Sequence, residues 1–418
     1  MQTKLFIDFI KNILNKKLPG QLVIQMTDHC NARCPQCGMR ITEKFKRSKI
    51  SNDDLKKIID AAASKGVNVL SFTGGEPLLF IDELVDLIKY AGSAGIQFIR
   101  TGTNGFIFRN SEDEIKKIAE KLASTPLRNF WISVDSLCTD THEEMRGFKG
   151  VIKGIEKAIP IFHENGLYPS INLGVNRNVG GSATSSIKHE DYSDHKDYLD
   201  AFYNAFYKSL QNFYQFAINM GFTILNTCYP MSIEETDFKA DDDLQAVYKA
   251  TSHEKVVKFD KNEKALLFKA LFNVTLEFRS KIRIFSPLVS LYSLGRQYTN
   301  GHKSYSCRGG KDFFFIDAGS SNTFPCGYRG NDNYGYFWEM NHSQDKENCF
   351  QCDWECFRDP SEMIGPLLDI FSKPHNFFLK IINDPIYLKL WIKDLRYYKS
   401  CSFFDGRVPL NSWAIKNY

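Results

Sequence analysis

The sequence predicts an α/β protein in which a parallel sheet with covering helices is followed by a small cysteine-rich region and a helical tail. Three observations carry this expectation. From Leu22 to about Asn226, short apolar runs alternate with stretches of helical periodicity, the pattern of successive βα units. Two cysteine groups, Cys30 to Cys37 and Cys307 to Cys356, lie at either end of that alternation. After the second group come the apolar segments Phe377–Ile382 and Ile386–Ile392, which read as helix.

Taken in order, Leu5, Phe6, Phe9, Ile10, Ile13 and Leu14 recur at helical spacing, with Lys4, Lys11, Lys16 and Lys17 around the polar side. Residues 1–19 are thus expected to form an amphipathic helix that covers the open end of its own domain or lies on a membrane surface. Asp8 and Lys11 interrupt the apolar stretch, unlike a signal peptide. Candidate strands are Leu22–Gln25, Val67–Phe72, Gln97–Thr101, Asn129–Val134, Ser170–Val175 and Phe222–Leu225. Between the first two, Ser51 and Asp54 cap a helix whose buried stripe is Leu55, Ile58, Ile59 and Ala62, closed by Gly66. Leu84, Leu87, Ile88 and Ala91 stripe the next helix, and Ile115, Ile118, Ala119 and Leu122 the third. The glycine-rich stretch from Val179 to Ser186 reads as a loop, either closing over a substrate or idle. A long helix striped by Tyr198, Leu199, Phe202, Phe206, Leu210 and Phe213 ends at Gly221. The expected units are 1–19, 20–231, a helical connection 232–301, the cysteine-rich region 302–362, and the tail 363–418.

Composition narrows the class. Charged residues make up 24% and hydrophobic residues 43%, ordinary values for a globular chain. A net charge of +4 is too small to argue for nucleic acid. Eleven cysteines without a secretory leader point to metal ligation in a reducing, cytoplasmic compartment.

The chemistry sits in C-x3-C-x2-C, Cys30, Cys34 and Cys37, after the first strand. Three thiolates on a short loop can hold three irons of a four-iron cluster and leave the fourth open for chemistry. One βα unit later stands Thr73-Gly74-Gly75-Glu76-Pro77. Together these motifs resemble the radical S-adenosylmethionine (SAM) enzymes; the alternative for the cysteines alone is a zinc knuckle. The resemblance implies a partial (β/α)6 barrel and a [4Fe-4S] cluster on the three cysteines, whose fourth iron binds SAM. It also implies reductive cleavage of SAM to a 5′-deoxyadenosyl radical, supplied with electrons by a reductase, flavodoxin or ferredoxin. On the same grounds Gly74, Gly75 and Glu76 are expected to meet the methionyl amino group. Ser133 and Arg146 would hold the carboxylate, and Asn176 the ribose, unless Arg146 only pairs with Glu143 or Glu144. Gln36 and Gly38 stand where the family usually has aromatic residues, which weakens the adenine contact at that edge.

The second group, Cys307, Cys326 and the C-x2-C-x3-C of Cys349, Cys352 and Cys356, resembles SPASM and twitch domains, which hold auxiliary clusters. Five cysteines imply one auxiliary [4Fe-4S] cluster on Cys307, Cys326 and two or three of the trio; a zinc ribbon is the alternative. The F-F-F-I-D segment ahead of Gly319 is expected to form a hairpin between the first two. Sulfatase-maturing relatives carry an aspartate after the equivalent of Cys326, whereas here Gly327 follows, so that oxidation is not expected. Cys138 and Cys228 each follow a barrel strand and are candidate hydrogen-atom donors. The expected substrate is a peptide or protein side chain or a related small metabolite. The alternatives are lipid modification with peripheral membrane contact, and an iron–sulfur electron carrier or binding module.

Overall fold

The computed structural model of the chain describes residues 20–37, 47–230, 255–340, 349–372 and 374–418. The expected N-terminal helix and Gly38 lie outside the described residues. Strands are β1 (Gly20–Thr27), β2 (Val67–Gly74), β3 (Phe98–Thr103), β4 (Leu127–Ser133), β5 (Ser170–Gly174), β6 (Ile224–Cys228), β7 (Arg283–Ile284), β8 (Phe313–Ile316) and β9 (Thr323–Phe324). Helices longer than one turn are α1 (Asn52–Ser64), α2 (Ile81–Ser93), α3 (Glu112–Ala123), α4 (Thr139–Arg146), α5 (Val151–Glu164), α6 (His195–Asn219), α7 (Lys261–Phe278), α8 (Leu288–Asn300), α9 (Glu355–Ser372), α10 (Pro374–Asn383) and α11 (Pro385–Ser400).

All the strands belong to one sheet in the order β7-β6-β5-β4-β3-β2-β1-β8-β9. Every pairing from β1 to β7 is parallel, as βα units require. The six expected strands are present, each within three residues of its predicted ends. Apolar stripes put α1, α2 and α3 against the sheet: Leu55, Ile58, Leu84, Ile88, Ile115 and Leu122 are fully buried in one continuous core. Ser51 accepts a hydrogen bond from the Asp54 amide and starts α1 as its capping pattern predicts.

Two features depart from the sequence expectation. The connection after β6 adds a seventh strand, β7, too short to give a periodic signal. The cysteine-rich hairpin also forms, with Phe315 opposite Phe324, but it is not a separate layer. Its first strand, β8, pairs in parallel with β1 from Gln21–Phe313 to Ile24–Ile316 and extends the barrel sheet. The burial of all eight residues of β1 reflects neighbours on both edges.

The tail closes the opposite end of the barrel. Arg407 donates to the carbonyls of Leu122, Ala123, Thr125 and Leu127 at the start of β4. Inside α11, Asp394 accepts from Arg279 Nη1 at 2.6 Å, and neither side chain is exposed. Phe378, Leu379, Ile382 and Ile386 of α10 and α11 remain exposed. Among the described residues no helix is long and apolar enough to cross a membrane.

Candidate active site

The carboxyl ends of β1 to β6 open into one cavity of about 320 Å³. Cys30, Cys34 and Cys37 line it with Gly74, Gly75, Glu76, Ser133 and Arg146. The cysteine loop leaves β1 and is tied back at several points. The Gly75 amide donates to Thr27 O and the Glu76 amide to His29 O, both at 2.8 Å. A Cβ on Gly75 would come within 2.0 Å of His29 O, and one on Gly74, at φ +141°, within 2.0 Å of Thr27 O. In this structure the two glycines are therefore needed for contact with the chain's own loop backbone.

Glu76 locks the next two strand ends. Its carboxylate accepts from the Leu78 amide at 3.1 Å and the Asn104 amide at 2.6 Å. Burial pushes its pKa up to about 7. Asn104 in turn donates to Asn31 Oδ1 at 2.8 Å and points at Cys30 Sγ, 3.8 Å away. On the other side, the Arg33 amide donates to Arg146 O, and Gln36 Nε2 donates to Asp135 Oδ2 at 2.7 Å. Gln36, the departure from the usual aromatic, thus ties the cysteine loop to the end of β4.

Arg146 ends α4 and its Nη2 lies 2.6 Å from Asp135 Oδ2, so neither Glu143 nor Glu144 is its ion-pair partner. Its Nε and Gln36 Oε1 are buried without a hydrogen-bond partner, and both residues line the cavity. Orphaned polar atoms of this kind suit a polar ligand beside the loop. Burial pushes the Cys34 thiol up to about 12, Arg146 opposing, while Cys30 and Cys37 repel its charge. A donor set of three thiols with a compensating guanidinium fits an anionic iron–sulfur cluster.

Two expected residues stand elsewhere. Asn176 is fully buried and does not line the cavity; it donates to Asp135 O and Gly174 O and accepts from the Asn178 amide. The turn after β5 thus engages both ends of its amide. Cys138 precedes α4 outside the cavity, against Gly181 and Thr141. The 179–186 segment is pinned, since the Leu137 amide donates to Val179 O and a Cβ on Gly180 would meet Ser209 Oγ at 2.1 Å.

The second cysteine group divides. The Cys307 amide donates to Cys349 O at 2.8 Å; burial raises the pKa values of Cys307, Cys326 and Cys352, and the Cys349 charge adds to the rise in each. Phe313, Phe315, Tyr328, Trp354 and Phe357 pack around Cys307, Cys326 and Cys352. Arg358, buried, has Nε and Nη1 unpartnered, and its charge favours thiolates at Cys307 and Cys352. These four thiols with that guanidinium suit an anionic cluster. Among the described residues no three His, Cys, Asp or Glu side chains close around one ion-sized point. Cys356, the second residue of α9, packs against the same apolar group but also lines the main cavity with Cys228, Glu355 and Arg100. Arg100, Trp131 and Glu355 carried no motif, and only their place in the wall of a shared chamber reveals them.

The Radical SAM superfamily model matches residues 24–180. An AdoMet-dependent heme synthase of Methanosarcina barkeri is 26% identical over 159 residues, 38% of this chain and 43% of that protein. A GTP 3′,8-cyclase of Alkaliphilus metalliredigens is 34% identical over 142 residues, 32% of this chain and 42% of that protein. The chain thus spans less than half the length of these curated relatives. Among solved structures, Streptococcus suis SuiB has a similar fold, with TM-score 0.53 and 16% identity over 87% of this chain and 78% of that one.

Proposed function

We propose, from the premise that residues 24–180 are a radical SAM domain, that the chain reductively cleaves SAM and abstracts hydrogen from an unactivated substrate carbon. The observation that carries this is the single cavity that gathers Cys30, Cys34, Cys37, the Gly74–Glu76 strand end, Ser133 and Arg146. A cluster on the three thiols and SAM beside it would together supply the electron and the radical. The protein's own part is positioning. Arg146 keeps a donor free on its Nε, Ser133 presents a hydroxyl at the end of β4, and Glu76 fixes the strand ends that shape the methionyl side.

The reading continues at the second group: Cys307, Cys326, Cys349 and Cys352 hold one auxiliary cluster and Cys356 is not a ligand. The substrate class is a peptide or protein side chain or a related small metabolite, with electrons from a flavodoxin, ferredoxin or reductase. Anaerobically reconstituted, reduced protein is expected to turn SAM into 5′-deoxyadenosine, and Cys34→Ala to abolish this. Undiminished cleavage by that variant overturns the assignment. Iron should stand at about eight per chain, four for each cluster. Cys352→Ala should lose half of it and Cys356→Ala none; four irons with one zinc would mean a zinc ribbon.

The exposed Phe378, Leu379, Ile382 and Ile386 favour a second reading, peripheral contact with a lipid surface. Cosedimentation with anionic vesicles, lost in Phe378→Ser/Ile382→Ser, tests it.

A further inference from the structure

Below the strand ends the cavity continues into the barrel, and its lining there is polar. Arg100 on β3 pairs in register with Ser71 and Asn129, three residues before the strand's end at Thr103. At ~3.3 Å per residue this is about 10 Å deeper than the loop-bearing end. The cavity wall also carries Asn172 on β5, level with Ser133, and Asn226 on β6, with Asn226 Nδ2 donating to Asn172 Oδ1 at 2.6 Å. Gly102, on the same face as Arg100, leaves the space that Trp131 fills: a Cβ there would lie 2.0 Å from Trp131 Nε1.

Two ionisable groups in this chamber have no ion-pair partner among the described residues. Arg100 donates through Nε to Ser71 Oγ at 2.9 Å, and among the described residues no carboxylate lies within ion-pair distance of its guanidinium. Glu355 enters from the start of α9 and is only 6% exposed. Its Oε1 accepts from Cys356 Sγ at 3.5 Å, while Oε2 is buried with no partner. Arg100 feels the charge of Glu355, after that of Cys356, without touching it. Leaving a half-buried guanidinium and a buried carboxyl without counter-charges is costly, and one ligand carrying both complementary charges would relieve both.

We propose that this inner chamber is the substrate pocket and that it takes a free α-amino acid, carboxylate on Arg100 and amino group on Glu355. The inference rests on the radical SAM reading and sharpens its substrate class to the small-metabolite branch. The Asn172–Asn226 pair adds amide donors and acceptors along the wall. Cys228, whose Sγ lies 3.3 Å from Asn172 Oδ1, stands with Cys356 beside the bound side chain.

The test uses reconstituted protein saturated with SAM, so that the methionyl subsite is filled, and reads melting temperature against each of the twenty L-amino acids at millimolar concentration. At least one is expected to raise it by about 2 °C or more, as binding to the folded state alone requires. Its N-acetyl and carboxamide derivatives should bind at least tenfold more weakly. Arg100→Met and Glu355→Gln should each abolish the shift, and Arg100→Lys should restore part of it. No shift with any amino acid, an equal shift with the N-acetyl form, or a shift that survives both variants overturns the proposal. 5′-Deoxyadenosine formation without substrate is measured alongside. Its absence where amino-acid binding persists would sink the radical SAM reading and leave the pocket standing.

Discussion

Arg146 Nη2 stands 2.6 Å from Asp135 Oδ2, in a pair whose side chains are only 9% and 4% exposed. The same carboxylate oxygen accepts from Gln36, so one aspartate holds both the cysteine loop and the guanidinium that faces the cavity. Asp135→Asn leaves Arg146 buried without its counter-charge. The expected cost is about 3 kcal/mol, the range for breaking one side of a buried pair, read by urea denaturation. A variant as stable as wild type would show the pair to be incidental.

Arg146→Lys asks a different question. An ammonium can answer Asp135 or a ligand carboxylate, but it lacks the fork that serves both. SAM affinity should fall by about 1–3 kcal/mol while iron content holds, measured by equilibrium binding to the reconstituted protein. An unchanged dissociation constant would confine Arg146 to its partnership with Asp135.

Gly75→Ala should act on one cluster alone. The new methyl group would lie 2.0 Å from His29 O, so the loop that carries Cys30 must move. Iron and sulfide should drop to about half, with the second cysteine group keeping its share. Full iron content would mean that the loop yields without losing its ligand geometry.

Glu76 gives the fold a pH dependence. Its pKa rises from 4.5 to about 7, so between those values the folded chain retains a proton that the unfolded chain has lost. Stability therefore declines as pH rises through that window. The urea midpoint of metal-free protein should be higher at pH 5 than at pH 7.5 by more in wild type than in Glu76→Gln, which cannot ionise. Parallel profiles for the two proteins would rule this out.

Asp394→Ala tests how the tail is fastened. Arg279 and Asp394 are both fully buried and 2.6 Å apart, and the other Asp394 oxygen accepts from the Val289 amide. Removing the carboxylate strands a guanidinium and an amide, at an expected cost of about 3–5 kcal/mol in chemical denaturation. A loss below about 1 kcal/mol would mean that water replaces the pair.

The sequence disclosed those elements whose signal is local. Short runs of four to six residues marked β1 to β6, and Ser51 with Leu55, Ile58 and Ile59 marked α1. It could not disclose that Phe313–Ile316 pairs with β1, because four buried aromatic and aliphatic residues fit any sheet edge. At the site, the spacing of Cys30, Cys34 and Cys37 with Gly74–Glu76 told which residues meet. Spacing could not tell that Cys356 parts from Cys349 and Cys352. That depends on α9 beginning at Glu355, which turns the thiol toward the barrel. Asn176 is legible only in part for a related reason: a short amide at a strand end suits a backbone turn as well as a ligand, and here it bonds to the turn.

The union of β1 with β8 bears on how the protein is made. A ribosome delivers β1 first and its partner on one side, β2, soon after, but the other edge waits for residues beyond 310. Through most of synthesis Leu22, Val23 and Ile24 therefore sit on an open, apolar strand edge, the kind that pairs with foreign strands. Truncation before Phe313 should leave that edge permanently bare and drive the nascent chain toward aggregation, so the cysteine-rich segment is also the clasp that finishes the barrel.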